Sequence, residues 1–264
     1  GIGGTGVVTA AQILATAAML NGFEVRGLDQ TGLSQKAGPV VSDIRLTREK
    51  ARPSNLLTKQ SADLILAFDL LVAASDKALE VAKPGHTMVI ASDSVTPTGS
   101  MIGNPYAEFP AEETLVGRVA ASTNALANVF VDAMALCRDL VGEATGANIF
   151  LLGVAVQKGA IPVDPKCFEE AISLNGVSIT KNIAAFRWGR AWAHNPELLE
   201  SYSNSEQGKS ASVEEVKLTL SIESRIRELG TRESVTSLIR LLSIDLLGYQ
   251  GNKLAEEYLE VVTK

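Results

Sequence analysis

The residues best placed for chemistry stand at the very start of the sequence. Gly1-Ile2-Gly3-Gly4-Thr5-Gly6 precedes the apolar run VVTAAQILATAAML. Gly1, Gly3 and Gly6 fit the spacing GxGxxG. Such a turn brings backbone N–H groups to a helix N-terminus, where an anion is favoured. Gly4 and Thr5 belong to the same turn. Asp29 lies at the end of the next expected strand, where a dinucleotide site would use an acid to hold ribose hydroxyls. Close packing of helix on sheet is the structural alternative for these glycines.

A second candidate is the loop Asp29-Gln30-Thr31-Gly32-Leu33-Ser34-Gln35-Lys36-Ala37-Gly38. It crowds amide, hydroxyl and ammonium groups between glycine hinges. Lys36 can pair with a phosphate or carboxylate. Gln30 and Gln35 can orient a ligand through their amides, and Thr31 adds a hydroxyl. The alternative is a polar loop that braces its neighbours. A third candidate, SDSVTPTG over 92–99, offers hydroxyls from Ser92, Ser94, Thr96 and Thr98. A plain structural turn competes with a ligand site there. No Ser-His-Asp, Cys-His or paired-carboxylate arrangement can be read from the spacing. The aromatic stretch FRWGRAW (186–192) has helical spacing, which points to packing for Phe186, Trp188 and Trp192.

These loops need elements to hold them, and composition says which kind. The 264 residues are 46% hydrophobic, 20% charged and only 5% aromatic. Ala, Val, Leu and Ile therefore carry the core, which suits a mainly parallel α/β sheet. A net charge of −6 argues against a nucleic-acid partner. The two cysteines, Cys137 and Cys167, read as ordinary thiols of a reducing cytoplasm. They form no CxxC motif, and neither His86 nor His194 has a metal-ligand spacing to a partner, so no metal site is expected. No stretch is long and apolar enough to span a bilayer, so no membrane partner is expected.

Along the chain, 6–20 reads as a buried helix, apolar on every face, that ends at Asn21-Gly22. Strands are expected over 23–29, 40–46, 62–69, 86–92 and 128–133. Helices are expected over 70–83, 110–126, 134–142, 146–159, 164–176 and 178–195. The alternation predicts a Rossmann-like, doubly wound sheet. Ligands of such sheets sit outside the carboxyl ends of the strands. The glycine turn and both candidate loops occupy that edge. Composition changes near 196. A polar linker is expected over 196–212, then a helical appendage over 213–264 with helices at 213–229 and 231–263, the second weakened by Gly248 and Gly251.

Several stretches together resemble the gamma-type catalytic domain of 2-oxoacid:ferredoxin oxidoreductases, above all the long, fused indolepyruvate ferredoxin oxidoreductases. They are GIGGTGVVT (1–9), LDQTGLSQKAGPVVSDIRL (28–46), ADLILAFDLLVAASDKAL (62–79), VTPTG (95–99), NIFLLGVAVQKGAIP (148–162) and EEAISLNGVSITKNIAAFRWGR (169–190). They come in the family's order across residues 1–195. LLGYQGNKLAEEYLEVV (246–262) looks like the segment that follows this domain in the fused enzymes.

The resemblance implies oxidative decarboxylation of a 2-oxo acid to an acyl-CoA. The whole enzyme uses thiamine diphosphate, magnesium and iron–sulfur clusters, passes electrons to ferredoxin and takes coenzyme A as substrate. The implied partners are the thiamine- and cluster-bearing domains, in an oligomeric assembly. No cofactor is expected to bind this segment by itself. Coenzyme A contacts are expected at Gly1, Gly3, Gly4, Thr5, Gly6, Gln30, Thr31, Gly32, Gln35, Lys36 and Thr98. The family also places an apolar strand directly before the glycine turn, so the sequence is expected to be part of a larger polypeptide without oxidoreductase activity of its own. Two other functions fit the same residues. An NAD-dependent dehydrogenase domain is favoured by GxGxxG with Asp29 and disfavoured by the DQTGLSQKAG loop. A non-catalytic scaffold domain would differ only in lacking ligand contacts.

Overall fold

A computed structural model describes residues 1–31, 38–49, 54–94, 109–197, 199, 218–229, 233–250 and 252–262. The chain divides into two compact units, Gly1–Ser205 and Glu206–Lys264.

The first unit opens with α1 (Val7–Leu20), then β1 (Glu24–Gln30) and β2 (Val41–Thr47). After these come β3 (Leu64–Ala67), α2 (Leu70–Ala73), α3 (Asp76–Leu79), β4 (Met88–Ser92) and α4 (Glu112–Ser122). The unit continues with β5 (Val129–Val131), α5 (Ala133–Val141), α6 (Ala147–Gln157), α7 (Pro165–Asn175) and α8 (Ile179–His194). Strands β3, β4 and β5 pair in that order and all run parallel. Strands β1 and β2 pair antiparallel with each other, with Glu24 opposite Thr47 and Gln30 opposite Val41.

The parallel strands send alternate side chains to two cores, the period-2 signature of a sheet covered on both faces. Ile90 and Val131 join the larger core with Ile13, Phe150, Leu151, Phe168 and Phe186. Val89 and Ala91 face the smaller one with Leu70, Leu115 and Val119. Helices therefore cover both faces, as the expected doubly wound sheet requires.

Helix α6 is apolar all round and lies in the middle of the larger core. It crosses α8 at Gly153 and Gly189. A Cβ on Gly153 would land on the Phe186 carbonyl, and one on Gly189 on the Phe150 carbonyl. Only glycine permits this approach of two helix backbones. The aromatic stretch of α8 packs as its spacing predicts. Phe186 stacks on Phe168 at 5.1 Å, and Trp192 tilts against Phe150 at 6.4 Å. Arg187 grips both carboxylate oxygens of Glu169, at 2.8 and 2.6 Å.

Three expectations need correction. The expected helix over 70–83 is two short pieces, α2 and α3. Asp69 caps α2 by accepting from the Val72 N–H at 2.8 Å. Ser75 then restarts the chain by accepting from the Ala78 N–H at 3.3 Å, a capping serine where a continuous helix would need a helix-former. Helix α1 is apolar all round but not buried all round, because Met19 and Leu20 are exposed at its end. The expected pair of helices at 213–229 and 231–263 is three among the described residues: α9 (Leu220–Glu228), α10 (Glu233–Gln250) and α11 (Asn252–Val262). Helix α10 ends at Gln250 and α11 begins at Asn252. These helices enclose a small core of Ile222, Ile226, Ile239, Ala255 and Leu259.

Candidate functional site

The glycine turn forms as expected, and its geometry follows from its residue types. Gly4 and Gly6 adopt positive φ, +85° and +83°, a left-handed conformation that side chains resist. Gly6 is the N-cap of α1. Thr5 ties the turn to itself, its hydroxyl donating to the Ile2 carbonyl at 2.7 Å. Gly4, Thr5 and Gly6 form an exposed crest, while Ile2 and Gly3 are buried beneath it. Among the described residues no side chain caps α1, and its first turn carries no acid. The positive end of its dipole lies at the turn that carries this exposed crest, a setting that favours an anion.

Two contacts hold this crest in place. From below, Asn148 on α6 donates its amide to the Thr5 carbonyl at 2.7 Å. From the side, the segment before β2 pairs with the turn in antiparallel fashion. Gly1 and Val40 exchange two backbone bonds, 3.0 and 2.8 Å, and the Gly3 N–H donates to the Gly38 carbonyl at 3.0 Å. Gly38, the last residue of the second candidate loop, is therefore joined to the first candidate. Gln30 ends β1, and Thr31 is exposed just beyond it. Gly32, Gln35, Lys36 and Thr98 lie outside the described residues.

Asp29 is exposed and accepts the Ser42 hydroxyl at 2.5 Å, so its carboxylate is committed across the β1–β2 pair. Ser92 and Ser94 form part of a brace at the end of β4. Their hydroxyls lie 2.8 Å apart, and Ser94 donates to Asp132 at 2.6 Å. Asp132 in turn caps α5 through the Ala135 N–H at 2.9 Å. Thr96, also of that loop, lies outside the described residues.

Sequence reasoning passed over three residues that shape this edge. Asn148 was visible only as one polar residue in an apolar run. Asp69 carried a capping signal, an acid directly before LLVA. Asp93 carried none. The ends of β3, β4 and β5 thus bring Asp69, Asp93 and Asp132 to one edge. Burial raises the Asp69 carboxyl above its usual range, partly offset by the Val72 N–H. Burial, then Glu112 and Asp132, push the Asp93 carboxyl up to about 6. The edge is mixed in charge: a positive helix end beside carboxylates, of which Asp69 and Asp93 hold their protons more firmly than usual.

The chain's residues do not fit an iron–sulfur cluster. The sequence has two cysteines, short of the four thiolates such clusters take. Cys137 is buried, and burial pushes its thiol up to about 12. Among the described residues no group of three or more His, Cys, Asp or Glu could hold a metal ion. No helix among them is long and apolar enough to cross a membrane.

With this geometry in place, comparison with known proteins decides the family. The family model for pyruvate ferredoxin/flavodoxin oxidoreductases matches residues 1–192. The chain belongs to this family. The match bears out the resemblance read from the glycine turn and the loops after it. Curated relatives include the indolepyruvate oxidoreductase subunit IorB of Pyrococcus horikoshii, 27% identical over 191 residues. That alignment covers 72% of this chain and 91% of the relative. The IorB subunit of Methanothermobacter thermautotrophicus is 26% identical over 193 residues, covering 72% and 92%. The fold is shared with the pyruvate oxidoreductase subunit PORC of Thermotoga maritima, with a TM-score of 0.50 and 20% identity over 72% of this chain and 90% of that one. It is also shared with a 2-oxoglutarate:ferredoxin oxidoreductase from Magnetococcus marinus. That protein was solved with 2-oxoglutarate, coenzyme A and succinyl-CoA bound. There the TM-score is 0.51 and the identity 19%, over 73% of this chain and 29% of that one.

Proposed function

We propose that residues 1–195 act as the gamma-type domain of an indolepyruvate ferredoxin oxidoreductase, with 196–212 as a linker and 213–264 as a helical appendage. The domain contributes to oxidative decarboxylation of a 2-oxo acid to an acyl-CoA. Thiamine diphosphate, magnesium and the clusters belong to partner domains or subunits, which pass the electrons to ferredoxin. This division of labour agrees with the poor fit of this chain to a cluster. By itself the chain is expected to reduce neither ferredoxin nor an artificial dye.

The contribution we assign to this chain is to hold an anionic part of coenzyme A. The observation that carries it is the N-terminus of α1, which has no side-chain cap among the described residues, no acid in its first turn, and the exposed crest Gly4-Thr5-Gly6 before it. A phosphate there would accept from backbone N–H groups and meet the positive end of the helix. Lys36, in the loop that Gly38 joins to this turn, would add a point charge. Lys36→Ala in the intact enzyme is expected to raise the KM for coenzyme A about tenfold, on the order of 1.4 kcal/mol, with the KM for the 2-oxo acid unchanged. An unchanged KM for coenzyme A rejects the anion site and leaves the family membership standing.

A second reading is a domain that only braces its partners. The carboxylates Asp69, Asp93 and Asp132 favour it, because they would repel a nearby phosphate. Coenzyme A titrated into the intact enzyme separates the two. Chemical-shift or hydrogen-exchange changes at Gly4–Val8 support the anion site, and changes confined to partner domains support bracing.

A further inference from the structure

Residues 23–52 hold six of the chain's 24 Lys and Arg but only four of its 30 Asp and Glu, a locally basic stretch in an acidic chain. Strands β1 and β2 lie within it. Val25 of β1 and Leu46, its partner on β2, pack against the larger core. Side chains alternate along a strand, so Arg26 and Arg45 lie on the opposite face. The register sets these two arginines directly opposite each other. Opposite positions bring side chains together on one face, and like charges there repel. A cross-strand arginine pair therefore costs stability unless an anion joins it.

The described residues supply little of that anion. Arg26 meets Glu24 through Nη2 at 3.5 Å, an exposed pair worth little in water. The Arg45 Nη2 donates to the Leu56 carbonyl at 2.8 Å, a neutral acceptor. Among the described residues no carboxylate forms an ion pair with Arg45. Asp43, two residues before Arg45 on this face, is buried, and its Oδ2 accepts the Leu57 N–H at 3.1 Å. The Nε groups of Arg26 and Arg45 are both buried without an acceptor. A guanidinium cannot shed its charge, so two fixed cations are left short of acceptors. Their flanks are apolar: Leu28, next to Arg26 on the same face, is 39% exposed, and Leu56 is 50% exposed. Arg48 is engaged elsewhere, over the Phe23 ring at 4.3 Å.

We propose that Arg26 and Arg45 together clamp a carboxylate presented by a partner protein of the same enzyme, which rests on the reading that this chain works within a larger assembly. An Asp or Glu side chain entering the pair gives the guanidinium groups two acceptor oxygens and removes the repulsion between them. The Nε groups are shielded in the unbound chain, so the Arg26 side chain swings to admit the acid, which its 3.5 Å tie to Glu24 allows. Leu28 and Leu56 are then covered by the apolar neighbours of that acid. This mixed setting favours a protein surface over a free phosphate, which would leave both leucines in water.

The test uses the native assembly, purified through a tag on this chain. Arg26→Lys keeps the cation and supplies an amine that carbodiimide joins to a carboxylate in contact. Peptide mass spectrometry is expected to find that amine linked to an Asp or Glu of a partner protein. Arg26→Gln should raise the dissociation constant of the assembly about tenfold. The Tm of the full chain alone should stay level or rise in that variant, because the repulsion is gone. A link only to Glu24 of the same chain, or no link, overturns the proposal. So does an unchanged dissociation constant, or a rise in it matched by a fall in the Tm of the chain alone. Inorganic phosphate that raises the Tm of the chain, with the effect lost in Arg26→Gln, would assign the pair to a small anion and overturns it too. Ferredoxin reduction with indolepyruvate by an assembly that fails these tests removes the clamp and leaves the proposed function standing.

Discussion

Gly153 of α6 and Gly189 of α8 stand at the crossing of two helices, each with a backbone carbonyl of the other helix where its Cβ would be. This crossing fixes the middle of the larger core. Through α6 it also fixes Asn148, five residues upstream, under the glycine crest. A packing feature deep in the fold is thereby joined to the candidate site at its edge.

Gly153→Ala is expected to destabilise the first unit by about 2–3 kcal/mol, the cost of forcing a methyl group into a filled core. Gly189→Ala should act alike. The two effects should not add, because either one already spreads the same crossing. Urea unfolding monitored at Trp192 measures this. A change below about 0.5 kcal/mol would mean the helices separate without strain.

Asn148→Ala removes the amide that satisfies the Thr5 carbonyl and leaves that acceptor beneath the crest. A loss of about 1–2 kcal/mol is expected. In the intact enzyme the KM for coenzyme A should rise as well, because the crest loses its support from below. Stability loss with an unchanged KM would make Asn148 purely a packing residue.

Asp93 predicts a pH dependence. Its carboxyl is pushed up to about 6, by burial first and then by Glu112 and Asp132, from an ordinary value of 3.8. Between those values the folded state holds more protons than the unfolded one, so stability falls as pH rises. The penalty is complete above about pH 6 and absent below about pH 4. Asp93→Asn removes it. The variant should gain about 1 kcal/mol at pH 7, a figure discounted because the carboxylate is only half-buried. At pH 4 it should gain nothing. Thermal melts at the two pH values decide, and an equal effect at both would contradict the assignment.

Much of the architecture was legible because it is local. The alternation of short apolar runs and helical stretches marks β3, β4, β5 and the helices between them. Pro165 and Gly176 bracket α7 where helix polarity puts them. The glycine turn was legible as a tight turn that opens a helix. What could not be read is long-range. Nothing local in VVSDIRL says that β2 pairs antiparallel with β1. Asn148 looks like one polar residue in a buried helix, and only the fold brings it to Thr5, 143 positions away. Asp93 and Asp132 meet because parallel strands end together. The break at Ser75 was legible in principle, since Ser75-Asp76 is a capping signal inside an otherwise helical run.

The central claim is that this chain serves a 2-oxoacid ferredoxin oxidoreductase of the indolepyruvate type. The most direct test is to purify the native assembly through a tag on this chain and supply indolepyruvate, coenzyme A and oxidised ferredoxin. The account predicts ferredoxin reduction that requires all three components, with formation of an acyl-CoA. Reduction of NAD without coenzyme A, or no ferredoxin reduction with indolepyruvate or any other 2-oxo acid, would contradict it.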